Sequence, residues 1–348
     1  MVQACLGGPL VGTPTLSLVV CTYCRPGPVW RLLDAVAKQS YVPDETLIVD
    51  SSPDQETAET VKAFQRKKGL QGLRYLAVPP EQRGLTRQRN FGIERCTGSV
   101  VAFLDDDTVP ETGYFREVLS CLDRHPEAVG VGGQITGMEW TRVGGGGSPS
   151  LDVFEFEGWQ RREDYRWRLR KLLGLASPLP PGWIPKFYHE RPASFPPDGR
   201  DYQVEFVMGC ASAWRSEVFE KCRFSDYFVG YGLYEDMDFC IRATRIGSLY
   251  VCTRARVAHY HAPSGRPNHF RYGCMVVRNG WFVWRRRWPR PGSTDVAKFW
   301  AITVLLTLCR LGDVRPRMWR PGLAESAGRV WGMLTLLWDA PEVSRYES

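Results

Sequence analysis

The feature that most constrains the fold is the segment 100–107, in which five apolar residues are followed at once by three aspartates. An apolar run of this length predicts a buried strand, and the turn residues Thr108 and Pro110 predict that it ends at the edge of a sheet. Three adjacent carboxylates repel one another unless a cation or hydrogen-bond donors neutralise them, and oxygen ligands of this kind suit Mg²⁺ or Mn²⁺. A solvated acidic turn is the alternative interpretation.

The amino-terminal part of the chain alternates strand-like apolar runs with amphipathic helical patterns. Strands are predicted over residues 16–21, 46–49, 73–78, 100–104, 128–131 and 202–208, and helices over residues 29–38, 54–68, 86–94 and 114–123. Such an alternation predicts a mostly parallel sheet with helices on its faces. In sheets of this kind ligands bind beyond the carboxyl ends of the strands, where Thr22, Asp50 and Asp105 lie.

Composition narrows the class of protein. The 348 residues, of which 43% are hydrophobic, are enough for one large or two ordinary domains with a substantial core. A net charge of +7 fits an anionic ligand or an anionic membrane surface, and we expect no nucleic-acid partner. Eleven scattered cysteines and the lack of a secretory signal pattern predict reduced thiols and a cytoplasmic location.

The regular pattern weakens in the middle of the chain. Residues 144–149 are rich in glycine and predict a mobile loop, and residues 159–199 predict an irregular segment that shapes a pocket or lid. The carboxyl-terminal part is basic and rich in tryptophan, with Arg285-Arg286-Arg287-Trp288, Trp319, Trp331 and Trp338. These side chains predict either contact with a membrane interface or packing onto the main domain.

Reactive side chains occur at the start of a helix and at the end of a strand. Glu235 and Asp236 begin a predicted helix, where they either cap its first turn or supply a general base. His259 and His261 end a strand-like stretch on the same side, and either imidazole could ligate a metal ion. Packing or hydrogen bonding is the alternative role for a lone histidine.

Arginines lie on the helix that precedes the acidic strand. Arg87 and Arg89 are two residues apart there, and a guanidinium group could grip a diphosphate or brace the acidic cluster. A solvated helix face is the alternative interpretation of the same pattern.

Taken in chain order, these stretches resemble the family 2 glycosyltransferases, whose nucleotide-diphospho-sugar domain has the GT-A fold. The resemblance covers roughly residues 16–263. It rests on Thr22-Tyr23, Arg25-Pro26, Leu47-Ile48-Val49-Asp50-Ser51-Ser52, residues 84–92, residues 103–108, Gly209-Cys210-Ala211, Trp214-Arg215, Val218-Phe219, Tyr231-Gly232, residues 235–242 and His259. It implies an α/β GT-A fold, with a mostly parallel central sheet flanked by helices and a helical carboxyl-terminal extension.

The resemblance also implies roles for individual residues. The nucleotide-sugar donor would be bound by Thr22, Tyr23, Arg25, Asp50, Arg83, Arg87, Asp105 and Asp106. A Mg²⁺ or Mn²⁺ ion would be held by Asp107 first, together with Asp105 and His259, with His261 as the fallback. Asp236 would be the catalytic base, and Glu235 is the less favoured choice.

The implied activity is metal-dependent, inverting transfer of a sugar from a nucleotide-diphospho-sugar to a lipid-linked or cell-envelope glycan. The QxxRW signature of processive members is lacking, and residues 272–288 resemble the tail of rhamnosyltransferase-like members, which predicts a non-processive enzyme. Cys24 stands where many relatives have a polar residue, so base recognition is left open. The alternatives are a nucleotide-sugar or carbohydrate-binding protein without turnover, and a nucleotidyltransferase, for which residues 25–28 are a poor phosphate-binding loop.

Domain limits follow from the same resemblance. A GT-A domain is predicted over residues 14–265, with a nucleotide-binding half at 14–133 and an acceptor-binding half at 134–265 that carries the flexible insertion. Residues 266–348 are predicted to form a basic, tryptophan-rich helical extension. The predicted location is the cytoplasm, with peripheral attachment at the inner face of the plasma membrane through an anionic lipid surface.

Overall fold

The computed structural model describes residues 14–144, 150–187, 191–261, 267–312 and 319–346. These residues group by their contacts into two compact units, one with residues up to 137 and from 193 to 261, the other with the rest. Residues 138–192 therefore group with the carboxyl-terminal helices, whereas the predicted limits assigned them to the acceptor-binding half. Apart from Gly144, the predicted mobile loop at 144–149 lies outside the described residues.

The strands and helices are numbered along the chain. The strands are β1 (Leu16–Thr22), β2 (Glu45–Asp50), β3 (Leu73–Ala77), β4 (Val100–Leu104), β5 (Thr108–Pro110), β6 (Ala128–Ile135), β7 (Thr141–Arg142), β8 (Val153–Phe156), β9 (Trp159–Arg162), β10 (Asp201–Val204), β11 (Ala211–Arg215) and β12 (Ser248–His259). The helices are α1 (Pro26–Val36), α2 (Glu56–Lys68), α3 (Leu85–Ile93), α4 (Tyr114–Arg124), α5 (Tyr165–Leu172), α6 (Val218–Lys221), α7 (Glu235–Ala243), α8 (His269–Arg287), α9 (Ser293–Gly312) and α10 (Trp319–Thr335).

The first unit is built on one central sheet. Its strands lie in the order β10-β12-β6-β11-β4-β1-β2-β3, with β5 beside β12. Strands β4, β1, β2 and β3 are parallel, as the alternation of strands and helices predicts. Beyond β4 the sheet is mixed, because β11 runs antiparallel to β4 and β6, and β12 runs antiparallel to β10 and β5. The predicted α/β fold with a helix-flanked sheet is confirmed.

The two faces of the sheet bury different side chains because successive residues of a strand point to opposite faces. On one face, alternate residues of β1 such as Leu18 and Val20 pack into a core with apolar residues of α1, α2 and α4. On the other face, Phe103 of β4 meets the rings of Phe219 and Phe224 edge to face, with centroids 6.1 and 5.5 Å away. Both faces are thus closed, and the carboxyl ends of the strands are left for ligands.

Part of the sequence interpretation differs from the structure after residue 133. The segment 159–199, predicted to be irregular, contains β9 and α5, and the strand predicted over 202–208 ends at Val204. The antiparallel strand β11 was not predicted, because its pairing with β4 and β6 joins residues far apart in the chain.

The second unit contains the three-stranded sheet β7-β9-β8 and helices α5, α8, α9 and α10. Trp284 of α8 is fully buried, stacks on Phe299 of α9 at 4.3 Å, and donates its indole N–H to the carbonyl of Lys186. Trp288 donates in the same way to Pro185. The predicted helical carboxyl-terminal region is confirmed. Among the described residues no helix has both the length and the apolar composition needed to cross a bilayer.

Candidate active site

The acidic turn after β4 is placed by two neighbouring strands. The N–H of Asp105 donates to the carbonyl of Cys210 at 3.2 Å, and β5 then pairs with β12 so that Thr108 lies opposite His259. This register sets the Nε2 of His259 3.0 Å from an oxygen of Asp107. The turn and the end of β12 therefore meet at the ligand edge of the sheet.

Three side chains at this edge form a cluster that fits a divalent cation. Ligand atoms of Asp105, Asp107 and His259 all lie within 4.8 Å of one another. Two carboxylates with an imidazole are a donor set suited to Mn²⁺ or Mg²⁺. The ring of His261 lies 4.0 Å from that of His259, but His261 is outside this three-residue group.

Asp106 points away from this cluster. It is 3% exposed, accepts a hydrogen bond from the hydroxyl of Thr22 at 2.7 Å and pairs with Arg25 at 2.8 Å. Burial raises the pKa of Asp106 to about 6, and the charge of Arg25 opposes that rise. Arg25 also lies 3.5 Å from Asp107. Asp106, Thr22 and Arg25 thus join the ends of β1 and β4.

Asp50 lies at the end of β2, opposite Thr22 in the parallel pairing of β1 and β2. Its carboxyl group is 1% exposed and accepts hydrogen bonds from the hydroxyl of Tyr75 at 2.9 Å and the N–H of Ser52 at 2.9 Å. Both of its oxygens are therefore engaged by neighbouring groups. Recognition of a nucleotide base by Asp50 stays a prediction.

The predicted donor-binding residues Arg83, Arg87 and Tyr23 lie near the surface. The guanidinium of Arg83 lies over the ring of Tyr23 at 5.1 Å, and Tyr23 is 37% exposed. Arg87 donates to the carbonyl of Glu81 at 2.8 Å in an exposed position. The role of these three residues in binding the donor stays a prediction.

The arginine that reaches the acidic residues is Arg89. It is 2% exposed, pairs with Glu235 at 2.5 Å, lies 3.6 Å from Asp105 and donates to the carbonyl of Gly209 at 3.1 Å. Its guanidinium also lies 5.0 Å from the ring of Phe224. Arg89 therefore connects the start of α7 with the acidic turn.

Glu235 and Asp236 have different surroundings although they are adjacent. Glu235 is 5% exposed and one of its oxygens, Oε2, is buried without a hydrogen-bond partner. Burial raises the pKa of Glu235 to about 8, and the neighbouring Arg89 limits the rise. Asp236 is half-buried and accepts hydrogen bonds from the N–H groups of Gly209 and Met237 at 2.9 and 2.8 Å. The orientation of its carboxyl group is thus fixed by the backbone.

Gly209 allows this close approach. A Cβ at position 209 would lie 2.8 Å from the Cβ of Asp236 and 3.1 Å from the guanidinium of Arg89. Any side chain there would push the first turn of α7 away. The glycine thus lets the segment before β11 touch both Arg89 and Asp236.

Gln88 was not identified from the sequence, although it joins the ends of β1 and β2. Its amide donates to the carbonyls of Thr22 and Val49 at 3.0 and 2.9 Å and accepts from the hydroxyl of Ser51 at 3.1 Å. The helical period contained the signal, because Gln88 lies four residues before Gly92, on the face that packs against the sheet.

A second cluster of ligand-type side chains lies elsewhere in the first unit. Cys121, Asp201 and Cys252 lie within 4.8 Å of one another. The carboxylate of Asp201 is already engaged by Arg124 at 2.8 Å and Arg254 at 3.3 Å. This cluster therefore belongs to the packing between α4, β10 and β12.

The structure is similar in fold to solved glycosyltransferases. One is the mannosyltransferase PcManGT from Pyrobaculum calidifontis, solved with GDP-Man and Mn²⁺, with a TM-score of 0.53 and 14% identity over 98% of this chain and 92% of that one. Another is GalNAc-T7, solved with UDP, GalNAc and Mn²⁺, with a TM-score of 0.53 and 14% identity over 96% of this chain and 58% of that one. The fold is that of the GT-A glycosyltransferases.

Similarity of sequence agrees with the fold. Residues 17–177 match the family model described as Glycosyl transferase family 2. It is 31% identical over 122 residues to a glucosyl-dolichyl phosphate glucuronosyltransferase of Haloferax volcanii, a match that covers 34% of this chain and 38% of that protein. It is 29% identical over 137 residues to glycosyltransferase AglE of the same organism, a match over 38% and 42%. The matched part thus spans about two fifths of these relatives.

Proposed function

We propose that this protein is a divalent-cation-dependent, inverting glycosyltransferase that moves a sugar from a nucleotide-diphospho-sugar to a hydroxyl of a lipid-linked or cell-envelope glycan. The proposal rests on one observation: Asp105, Asp107 and His259 meet at the carboxyl edge of the sheet. Arg89 joins this edge to the start of α7. The dolichyl phosphate in the name of one relative and the amylovoran in that of another, from Erwinia amylovora, support a lipid-linked or polysaccharide acceptor. A rhamnosyltransferase-like specificity remains our expectation.

Asp105, Asp107 and His259 would hold Mg²⁺ or Mn²⁺, with His261 next to them. The ion would neutralise charge on the departing nucleoside diphosphate. Asp50, Thr22, Tyr23, Arg25, Arg83 and Arg87 would bind the nucleotide part of the donor. Asp106, which is paired with Thr22 and Arg25, would hold the ends of β1 and β4 in place around it.

Asp236 would act as the general base. The acceptor oxygen forms a bond to the anomeric carbon as the bond from that carbon to the diphosphate oxygen breaks, and the electron pair leaves with the nucleoside diphosphate. The acceptor proton passes to the carboxylate of Asp236, and the configuration at the anomeric carbon inverts. The two backbone N–H groups that orient Asp236 support this choice over Glu235, whose carboxyl group is paired with Arg89.

The first test is a donor screen. The full chain is incubated with UDP-, GDP- and dTDP-sugars and Mn²⁺ or Mg²⁺, and release of the nucleoside diphosphate is measured. Release that stops on chelation is expected. Nucleotide binding without release from any donor would favour a binding protein, and pyrophosphate release from a nucleoside triphosphate would favour a nucleotidyltransferase.

The second test separates the roles of the acids. Asp236→Asn should lower transfer by about 10²- to 10⁴-fold with nucleotide and Mn²⁺ binding kept, since a general base contributes rates of that size. Asp107→Ala should weaken Mn²⁺ and nucleotide binding together. Asp226→Asn, which changes an exposed carboxylate in the loop before α7, is the matched control and should behave as the unchanged protein. Ordinary activity in Asp236→Asn with loss of activity in Glu235→Gln would transfer the base to Glu235.

A further inference from the structure

Helices α9 and α10 of the second unit expose apolar side chains. On α9, exposed residues recur with helical period along one face, at Ala297, Ala301, Val304, Leu308 and Leu311. On α10 and the turn after it they are Leu323, Ala327, Val330, Trp331, Leu334, Leu337 and Trp338. Leu308, Leu337 and Trp338 are 59%, 75% and 66% exposed. We call these two sets together the apolar stripe.

The buried face of the same helices carries polar and small side chains beside the apolar Phe299 and Ile302 of α9. Thr303 and Thr307 of α9 are buried, and so are Glu325 and Ser326 of α10. Glu325 is paired with Arg310 at 2.7 Å and with Arg329 at 2.8 Å. Polar side chains on the buried face and apolar ones on the exposed face are unusual in a surface helix, which mostly turns its polar face outward.

The contact between α8 and α10 is also made by small residues. A Cβ at Gly273 would lie 2.0 Å from the carbonyl oxygen of Glu325, and one at Gly328 would lie 2.0 Å from that of Phe270. Close backbone contact through small residues, with polar groups bonded between helices, is the packing expected of helices beside lipid.

A cationic cleft lies beside one end of the stripe. It measures about 560 Å³ and is lined by Phe270, Pro321 and Ala324, with His269, Arg271 and Arg320 among its other residues. Ala324 is adjacent in the chain to Leu323 of the stripe. The ionisable side chains that line the cleft carry positive or no charge, so a second copy that presented the same cleft would offer no counter-charge there. Anionic lipid headgroups do.

We propose that the apolar stripe lies in the interface of an anionic lipid bilayer, with the cationic cleft holding lipid headgroup phosphates. This attachment goes beyond the proposed transfer reaction and does not depend on it. The exposed rings of Trp331 and Trp338, which are 6.4 Å apart, suit the boundary between headgroups and acyl chains.

Cosedimentation of the full chain with vesicles tests the proposal. The vesicles are phosphatidylcholine with about one third phosphatidylglycerol, and the comparison is phosphatidylcholine alone. We expect binding to the anionic vesicles, weakened but not abolished when NaCl rises from about 0.1 M to about 0.5 M, because salt screens the cleft and leaves the apolar contact. No binding to anionic vesicles at the lower salt concentration would overturn the proposal.

Matched variants then locate the contact. Leu308→Gln with Leu337→Gln should lower vesicle affinity at least about tenfold, since each change removes exposed apolar surface. The control pair Leu172→Gln and Leu173→Gln alters the last residue of α5 and the residue after it, which are 68% and 56% exposed, and should leave affinity unchanged. Arg271→Gln with Arg320→Gln should lower affinity for anionic vesicles about 25-fold, at roughly fivefold per arginine.

A second copy of the chain could cover the apolar stripe instead of a lipid bilayer. Sedimentation equilibrium distinguishes these two alternatives. A dimer in solution that becomes a monomer in Leu308→Gln with Leu337→Gln, without any vesicle binding, would overturn the proposal. Equal loss of vesicle affinity in the α5 control pair would do the same. Because the altered side chains are exposed, thermal unfolding of all variants should match that of the unchanged protein.

Discussion

Replacing Glu235 by glutamine should stabilise the metal-free protein at neutral and alkaline pH. Glu235 is buried, and its pKa is raised from 4.5 to about 8 by burial, although it pairs with Arg89. In the folded state it therefore keeps its proton over a pH range in which the unfolded chain has lost it. The folded protein binds more protons than the unfolded one there, so the free energy of unfolding falls as pH rises through this window.

The size of the effect follows from the two pKa values. Because the pKa of Glu235 rises from 4.5 to about 8 on folding, this residue lowers the free energy of unfolding by about 5 kcal/mol once the pH exceeds 8. At pH 7 the loss is about 3 kcal/mol. Glu235→Gln removes the titration and keeps an oxygen that can accept from Arg89. The two proteins should be equally stable near pH 4.5, and the variant should gain steadily as the pH rises.

Urea unfolding of both proteins in a chelator, at a series of pH values, measures this difference. The control is Asp238→Asn, which breaks another buried carboxylate–guanidinium pair of α7, that of Asp238 with Arg242 at 2.8 Å. Breaking such a pair should cost about 3 to 5 kcal/mol. If Glu235→Gln also proved less stable than the unchanged protein at pH 8, Glu235 would be an ionised partner of Arg89 and the reasoning from burial would be wrong.

Two further changes test how the site is held together. Gln88→Leu should lower the free energy of unfolding by about 2 to 3 kcal/mol in urea unfolding, because two buried carbonyls lose their donor; a loss below about 0.5 kcal/mol would contradict this role. Gly209→Ala should lower the transfer rate about 100-fold with nucleotide affinity kept, because the new Cβ displaces Asp236 and misplacement of about 1 Å can cost that much. Unchanged steady-state rates would show that the position of Asp236 does not matter.

The first half of the sheet could be predicted from the sequence because its signals are local. Strands β1 to β4 are short, mostly apolar runs separated by helical patterns, so their predicted limits lie within a few residues of the observed ones. Nothing in the local sequence of the antiparallel strand β11 indicates which strands it pairs with. Its place between β4 and β6 depends on side chains such as Trp214, which packs over Gly130.

The sequence predicted the acidic residues of the candidate site better than its arginines. Arg87 and Arg89 are two residues apart, and charge alone does not distinguish them. The helical period does, because Arg89 lies three residues before Gly92 on the face that packs against the sheet, whereas Arg87 points outward. His259 and His261 differ for a non-local reason: β12 ends at His259, opposite Thr108, and His261 follows with a φ of 51° outside the strand.

The charges at the ligand edge explain why a cation fits there. The acidic turn and the first two residues of α7 bring together five carboxyl groups, those of Asp105, Asp106, Asp107, Glu235 and Asp236. Among the described residues, the guanidinium groups of Arg25 and Arg89 pair with members of this set. Arg25 is engaged with Asp106, and Arg89 is engaged with Glu235, which itself favours the neutral form. Asp105 and Asp107, which these guanidinium groups approach only to 3.6 and 3.5 Å, are the acids that share a cluster with His259. A divalent ion placed there would supply the missing charge and draw the diphosphate of a donor to the same edge.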